Sequence, residues 1–175
     1  MEIEIPEGIE VELQDEVLKV RGEKGEVSKR FYYPKLRLKK VDNKLVIEAK
    51  DNKRKTLAIV GTWRAHIRNM FKGVTKGFEY RMKICHVHFP MNVSVEGDKV
   101  VIKNFLGQKD DRYAKILEGV EVKVEGDEII IRGIDKEKVG QTMGNIENAT
   151  RLITRRDRRV FSDGIFLISR GEEDE

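Results

Sequence analysis

Residues 45–51 read LVIEAKD and residues 129–135 read IIIRGID. Each is a short apolar run that ends at an aspartate, and the two begin 84 residues apart. Ile5-Pro6 and Phe89-Pro90 are separated by the same offset, as are Asp51 and Asp135. Three landmarks at one spacing predict a domain that occurs twice in the chain.

Each half reads as strands first and a helix afterwards. VELQDEVLKVRG predicts a hairpin turning at Gln14-Asp15. In KLRLKKV, Leu36 and Leu38 alternate with Lys35, Arg37 and Lys39, which is the period of a half-buried strand. Asp42-Asn43 marks the tight turn into KLVIEAK. A helix is predicted over residues 53–72, with Asp51 or Asn52 as N-cap and Gly73 as C-cap. Its inner stripe reads Leu57, Val60, Trp63, Ile67, Met70 and Phe71. In the second half, Gly97-Asp98 and Gly126-Asp127 turn two further hairpins. A second helix follows Asp135, with Val139, Met143, Ile146 and Leu152 or Ile153 facing inward. The fold class is α+β: two tandem homologous domains, residues 1–80 and 81–175, each an antiparallel-rich sheet packed with one main helix. The linker between them is expected near residues 78–90.

Composition narrows the function classes. Charged residues make up 38% of the chain, against roughly 25% in an average soluble protein. Hydrophobic residues still reach 39%, enough for a core, so a disordered chain is not expected. A single cysteine, Cys85, precludes an intramolecular disulfide and suits a reducing compartment. No run approaches the ~20 apolar residues of a membrane span. The start, MEIEIPEG, does not read as a signal peptide, so a cytoplasmic protein is expected.

Catalytic and metal chemistry find little support. Cys85, His86 and His88 lie close in sequence, and His86 and His88 would share a strand face. Zinc needs a fuller ligand set, and His66 is the only other histidine. Cys85 and His86 would alternate faces, which separates a nucleophile from its base. Asp110-Asp111 sit among counter-charges, and GEKGE at 22–26 joins strands without opening a helix. No enzyme activity, cofactor, metal or small-molecule substrate is expected.

The charge distribution points elsewhere. Residues 151–170 carry 6 Lys/Arg and 2 Asp/Glu, a net +4 that equals the charge of the whole chain. Within them, TRRDRRVFSDG (154–164) packs Arg155, Arg156, Arg158 and Arg159 around Asp157, with Arg151 just before. Such a cluster repels itself unless an anion compensates. Guanidinium forks match phosphates bidentately. Phe161 is placed to stack on a base or pack inward, and Gly164 permits close backbone approach. Nucleic acid is the expected partner. The competing readings are a patch neutralised by the acidic tail GEEDE (171–175), a protein-interaction module, and a generic RNA-binding protein. Arg64, Arg68 and Lys72 recur every four residues on the first helix, a solvated face or a secondary anion contact.

GTWRAHIRNMFKGVTKGF (61–78), IKNFLGQK (102–109), GIDKEKVGQ (133–141) and RRVFSDGIF (158–166) resemble the family of ribosomal large-subunit protein six, nearly end to end. NFLG and FSDGIF are similar to its archaeal and eukaryotic branch. The resemblance implies a structural, non-enzymatic component of the large subunit that binds large-subunit rRNA mainly through the second domain. It implies a position near the sarcin–ricin loop, the stalk base and the docking site of translational GTPases, among neighbouring ribosomal proteins. The implied RNA-binding set is Arg151, Arg155, Arg156, Arg158, Arg159, Phe161, Ser162 and Gly164, with Lys103, Lys109 and Arg112 from the NFLG loop. Arg64, Arg68 and Lys72 form a possible second set.

Overall fold

The computed structural model describes residues 1–152, 157 and 159–171. The chain divides into two compact units, Met1–Gly77 and Phe78–Glu175. The first unit holds strands β1 (Glu2–Glu4), β2 (Glu10–Gln14), β3 (Val17–Gly22), β4 (Gly25–Arg30), β5 (Leu36–Val41) and β6 (Lys44–Ala49), then helix α1 (Arg54–Thr75). They form two antiparallel sheets in the orders β2-β3-β4 and β1-β6-β5. The second unit holds β7 (Phe78–Cys85), β8 (Asn92–Glu96), β9 (Lys99–Lys103), a 3-10 turn (Phe105–Gly107), β10 (Arg112–Lys115), β11 (Val120–Glu125) and β12 (Glu128–Gly133). Helix α2 (Lys136–Ala149) and β13 (Gly164–Ser169) follow. Its sheets are ordered β10-β9-β8 and β11-β12-β7-β13, again antiparallel throughout.

The duplication is visible strand by strand. β5 and β6 reappear as β11 and β12 at an offset of 84 residues. The hairpin turns also correspond: Asp15 and Gly97 open one pair, Asp42 and Gly126 the other, all with positive φ (53°, 62°, 50° and 60°). Gly and Asp tolerate that left-handed conformation better than bulkier residues do. Each helix is approached through an aspartate, in different roles. Asp135 caps α2, accepting the Glu137 N–H at 2.9 Å, whereas Asp51 accepts the N–H of Lys53, the residue that precedes α1, at 3.2 Å.

The units diverge at one edge. β1 is an outer strand of its sheet, whereas its counterpart β7 is flanked by β12 on one side and β13 on the other. β13 therefore has no partner in the repeat. It makes β7 an interior strand, whose Phe78, Tyr80, Met82 and Ile84 alternate into a core shared with Ile129, Ile131, Val139, Ile146 and Ile165. The first core gathers Leu18, Val20, Leu45, Ile47, Ile67 and Val74, with Phe31 edge-on to Trp63 at 5.4 Å.

Three details of α1 differ from the sequence expectation. The N-cap is Lys53, not Asp51 or Asn52, and its side chain does not cap the helix. Leu57 is 51% exposed, and Thr56 takes the buried position, its hydroxyl 2.6 Å from Asp51. Gly73 lies inside the helix and is buried. Closure comes later, where the N–H groups of Lys76 and Gly77 both reach the Lys72 carbonyl and Gly77 adopts φ 75°. The residues expected to link the halves begin as strand: 78–85 are β7 of the second unit. No described helix is long and apolar enough to cross a membrane.

The end of α1 lies against the end of β3 because Gly22 has no side chain. A Cβ at Gly22 would sit 2.8 Å from both Cγ2 and the carbonyl oxygen of Val74. Gly22→Ala should therefore destabilise the first unit by about 1–3 kcal/mol, the usual cost of overpacking. Urea unfolding checks this; a midpoint matching the parent at equal m would show that the helix end yields freely.

Candidate nucleic-acid interface

Three contacts hold the described residues at the end of α2 and just before β13. At the helix end, the buried Thr150 hydroxyl oxygen accepts the Ile165 N–H at 3.0 Å. At the far end, Asp163 is 3% exposed. Its Oδ2 accepts the backbone N–H groups of Val87 and His88, both at 3.2 Å, and its Oδ1 accepts from His88 Nδ1 at 2.8 Å. A carboxylate only accepts, so Nδ1 carries the proton. Between these points the Phe161 ring lies on the His88 ring, centroids 4.9 Å apart and tilted by 30°.

The same short segment, residues 86–90, also braces the NFLG loop. Asn104 Nδ2 donates to the Pro90 carbonyl at 2.9 Å. The space where a Gly107 side chain would begin is 3.5 Å from the Phe89 ring. Asn104, Leu106 and Gly107 all have positive φ (59°, 50° and 74°). For leucine this is an uncommon conformation, and it is held while Phe105 and Leu106 are buried. The NFLG loop and the residues leading into β13 are thus anchored to one stretch of chain.

The expected contact residues fall into three groups. Lys103, Lys109, Arg151, Arg159 and Ser162 are exposed. Arg159 also braces its own turn: its N–H and Nε reach Asp157 Oδ1 at 2.9 and 3.2 Å, and its side chain remains 90% exposed. The Arg159 backbone and guanidinium hold the Asp157 carboxyl below its ordinary range. Arg112, Phe161 and Gly164 are engaged within the unit. Arg112 Nη1 donates to the Ala149 carbonyl at 2.8 Å, its Nε donates to Gln108 at 3.1 Å, and its guanidinium lies 4.4 Å from the Phe105 ring centre. Burial lowers its pKa. Gly164 is buried, and a Cβ there would lie 3.0 Å from the Phe166 ring, which would have to shift by a few tenths of an ångström. Arg155, Arg156 and Arg158 lie outside the described residues, as do Glu172–Glu175 of the acidic tail. A groove of about 450 Å³ opens beside these elements, lined among others by Thr150, Arg151, Leu152, Phe161, Ser162 and Phe166.

His86 and His88 do not form a strand pair, because β7 ends at Cys85. Among the described residues no group of three or more His, Cys, Asp or Glu is placed to hold a metal ion. His88 and Asp163 are the residues that sequence reasoning missed. Asp163 reads locally as part of a Ser-Asp-Gly turn, and nothing in a linear pattern pairs it with residues 75 positions away.

Fold and surface together define a tandem-domain protein built by duplication, with exposed basic loops braced in its second unit. Comparison with known proteins gives it a family. A sequence model of the family described as Ribosomal protein L6 matches residues 5–77 and 89–164, two segments that begin 84 residues apart. The chain belongs to that family. It is 52% identical over 169 residues to the large ribosomal subunit protein uL6 of Methanobrevibacter smithii, covering 97% of this chain and 94% of that protein. The uL6 proteins of Methanothrix thermoacetophila and Methanosarcina mazei are 48% and 46% identical over 168 residues, covering 96% of this chain and 95% of each relative.

Asp163 makes the anchoring pH-dependent. Burial by itself raises its pKa, but the bonds from the His88 ring and the His88 and Val87 N–H groups outweigh it, so the net shift is downward. A depressed pKa contributes stability that is complete above the ordinary value of roughly 3.9 and is lost as pH falls through the folded value. Asp163→Asn should lower stability at neutral pH by about 1–3 kcal/mol, because it removes charge-assisted bonds at a buried site. It should also flatten the acid limb of the stability profile. Parallel acid limbs for parent and variant would remove the carboxylate from this role.

Proposed function

We propose that this protein is a structural, non-enzymatic constituent of the large ribosomal subunit that binds large-subunit rRNA through its second unit. The relatives' names supply the assembly; the braced loops supply the surface. One observation carries the reading. Exposed cations lie on or beside two separate loops, Lys103 and Lys109 at one and Arg151 and Arg159 at the other, and both loops bond to the same residues 86–90, through Asn104 and Asp163. Cations on two loops with a common base suit the regular phosphates of a folded RNA, which is recognised largely by shape and backbone. Arg155, Arg156 and Arg158 extend the set within the 151–164 segment. The mechanism is electrostatic clamping: phosphate contacts release counterions and fix the register of protein on RNA.

The finer placement belongs to the same proposal. The protein would sit near the sarcin–ricin loop and the stalk base, among other large-subunit proteins, beside the site where translational GTPases dock. It would hold RNA helices in place there on the cytoplasmic ribosome.

The test is rRNA binding as a function of salt. Replacing Arg155, Arg156, Arg158 and Arg159 by alanine should weaken binding and reduce the slope of log K against log salt by about 0.7–0.9 for each phosphate the protein no longer neutralises. An unchanged slope would sink the assigned surface. Sedimentation of the tagged chain through a high-salt gradient checks the assembly itself: stoichiometric travel with large subunits is expected, and a chain left at the top as free protein would refute it.

A further inference from the structure

The duplication provides an internal control for surface charge. α1 and α2 occupy the same place in the repeat, yet their charges differ. α2 carries Lys136 and Lys138 against Glu137 and Glu147. α1 carries Arg54, Lys55, Arg64, Arg68 and Lys72 and no acidic residue. The fold therefore does not require a basic helix.

Stability does not favour the arrangement either. Arg54 and Lys55 stand at the positive end of the helix dipole, where acidic residues are preferred, and the first turn has none. Arg64, Arg68 and Lys72 follow one another at four-residue spacing, which sets like charges side by side. Elsewhere in the first unit five cations do have carboxylate partners: Arg21 with Glu26, Arg30 with Glu16, Lys35 with Asp51, Lys39 with Glu48 and Lys44 with Glu2. Among the described residues, none of the five α1 cations has an ion-pair partner.

The face they border carries small residues beside one exposed leucine, Leu57. Ala58, Gly61, Thr62 and Ala65 are exposed between the basic positions. A Cβ at Gly61 would meet nothing within 4 Å, so no packing within the chain requires glycine there. Glycine inside a helix lowers stability relative to alanine, and its benefit is room for something outside to approach. Protein interfaces centre on large aromatic or arginine anchors seated in pockets. Here the large apolar group is a single Leu57, and the cations stand along about 27 Å of helix, from Arg54 to Lys72. Charge complementarity to a polyanionic backbone fits this better than an acidic protein surface does.

We propose that the outer face of α1 is a second RNA-docking surface, with Arg54, Lys55, Arg64, Arg68 and Lys72 on phosphates and the Ala58–Gly61–Ala65 stripe against the sugar-phosphate backbone. This inference rests on the reading that the chain binds large-subunit rRNA. It adds that the first unit holds RNA as well as the second.

The experiment measures binding of the full chain to large-subunit rRNA across a salt series, with two variants compared alone and combined. One replaces Arg64, Arg68 and Lys72 by alanine; the other replaces Lys103, Lys109 and Arg159. The α1 variant should lower the slope of log K against log salt by about 2–3 units, and its effect should add to that of the second-unit variant. Alanine favours helix, so its thermal midpoint should not fall. Gly61→Leu should raise that midpoint and still weaken binding, a combination that a merely structural role for Gly61 does not produce. A parental slope in the α1 variant, with a reduced slope only in the second-unit variant, would overturn this proposal and leave the second-unit surface standing. Parental slopes in both would overturn both. In assembled subunits, a photoreactive residue at Ala65 should cross-link to rRNA; cross-linking to protein alone would give the face to a protein partner and refute the RNA assignment.

Discussion

The pairing of β13 with β7, secured at its entry by the buried Asp163 carboxylate, is the constraint on which the second unit's surface depends. Gly164 pairs with Cys85 at the end of β7, and Asp163, the residue before it, accepts the N–H groups of Val87 and His88. These contacts fix where the chain must arrive after leaving α2. The 151–163 segment consequently runs between two set points, Thr150 and Asp163. A basic loop with both ends fixed loses less conformational freedom on binding than an unanchored one. Asp163 is remote in sequence from every residue it bonds. The anchoring is therefore a property of the folded unit, absent from any isolated peptide of the loop.

Duplication separates what the fold needs from what the surface does. Paired hairpins, aspartates at the helix entrances and an alternating core recur in both units because they satisfy backbone donors and bury apolar area. The differences lie at an edge and on a helix. β13 is added to one unit, and unopposed positive charge is concentrated on the helix of the other. Neither follows from the shared architecture.

How much of this was legible in the sequence depended on range. The hairpin turns at Asp42, Gly97 and Gly126 were readable because turn chemistry is local. The offset of 84 residues was readable because LVI and III keep their register to the aspartate that follows. The inner stripe of α1 was mostly readable from its period, but Leu57 and Thr56 were exchanged. A small side chain with a hydrogen-bonding partner, Asp51, outcompeted a larger apolar one that points away from the core. Gly73 invited a C-cap because glycine so often stops helices, yet the chain has a later glycine, Gly77, that closes α1 with positive φ. In the candidate interface, Arg151 and Arg159 were singled out by the local concentration of charge, and Lys103 and Lys109 by the family resemblance; all four are exposed. The brace beneath them was not legible, since it joins Asp163 to His88 and Asn104 to Pro90 across long stretches of sequence.

Arginine serves two ends in this chain, and the surroundings decide which. Arg112 lies over the Phe105 ring and directs its donors to Gln108 and to the carbonyl at the end of α2, where a cation also complements the helix dipole. Its charge is satisfied inside the unit. Arg159 bonds the Asp157 carboxylate beside it and still presents nearly its whole side chain to solvent. The α1 cations go further: among the described residues, no carboxylate pairs with any of them. That gradient, from neutralised to unopposed, orders the chain's basic residues by how much of their interaction energy is left for a partner. Solvation and salt screen such charges in the free protein. A phosphate backbone supplies, at regular spacing, the opposite charge that the fold itself withholds.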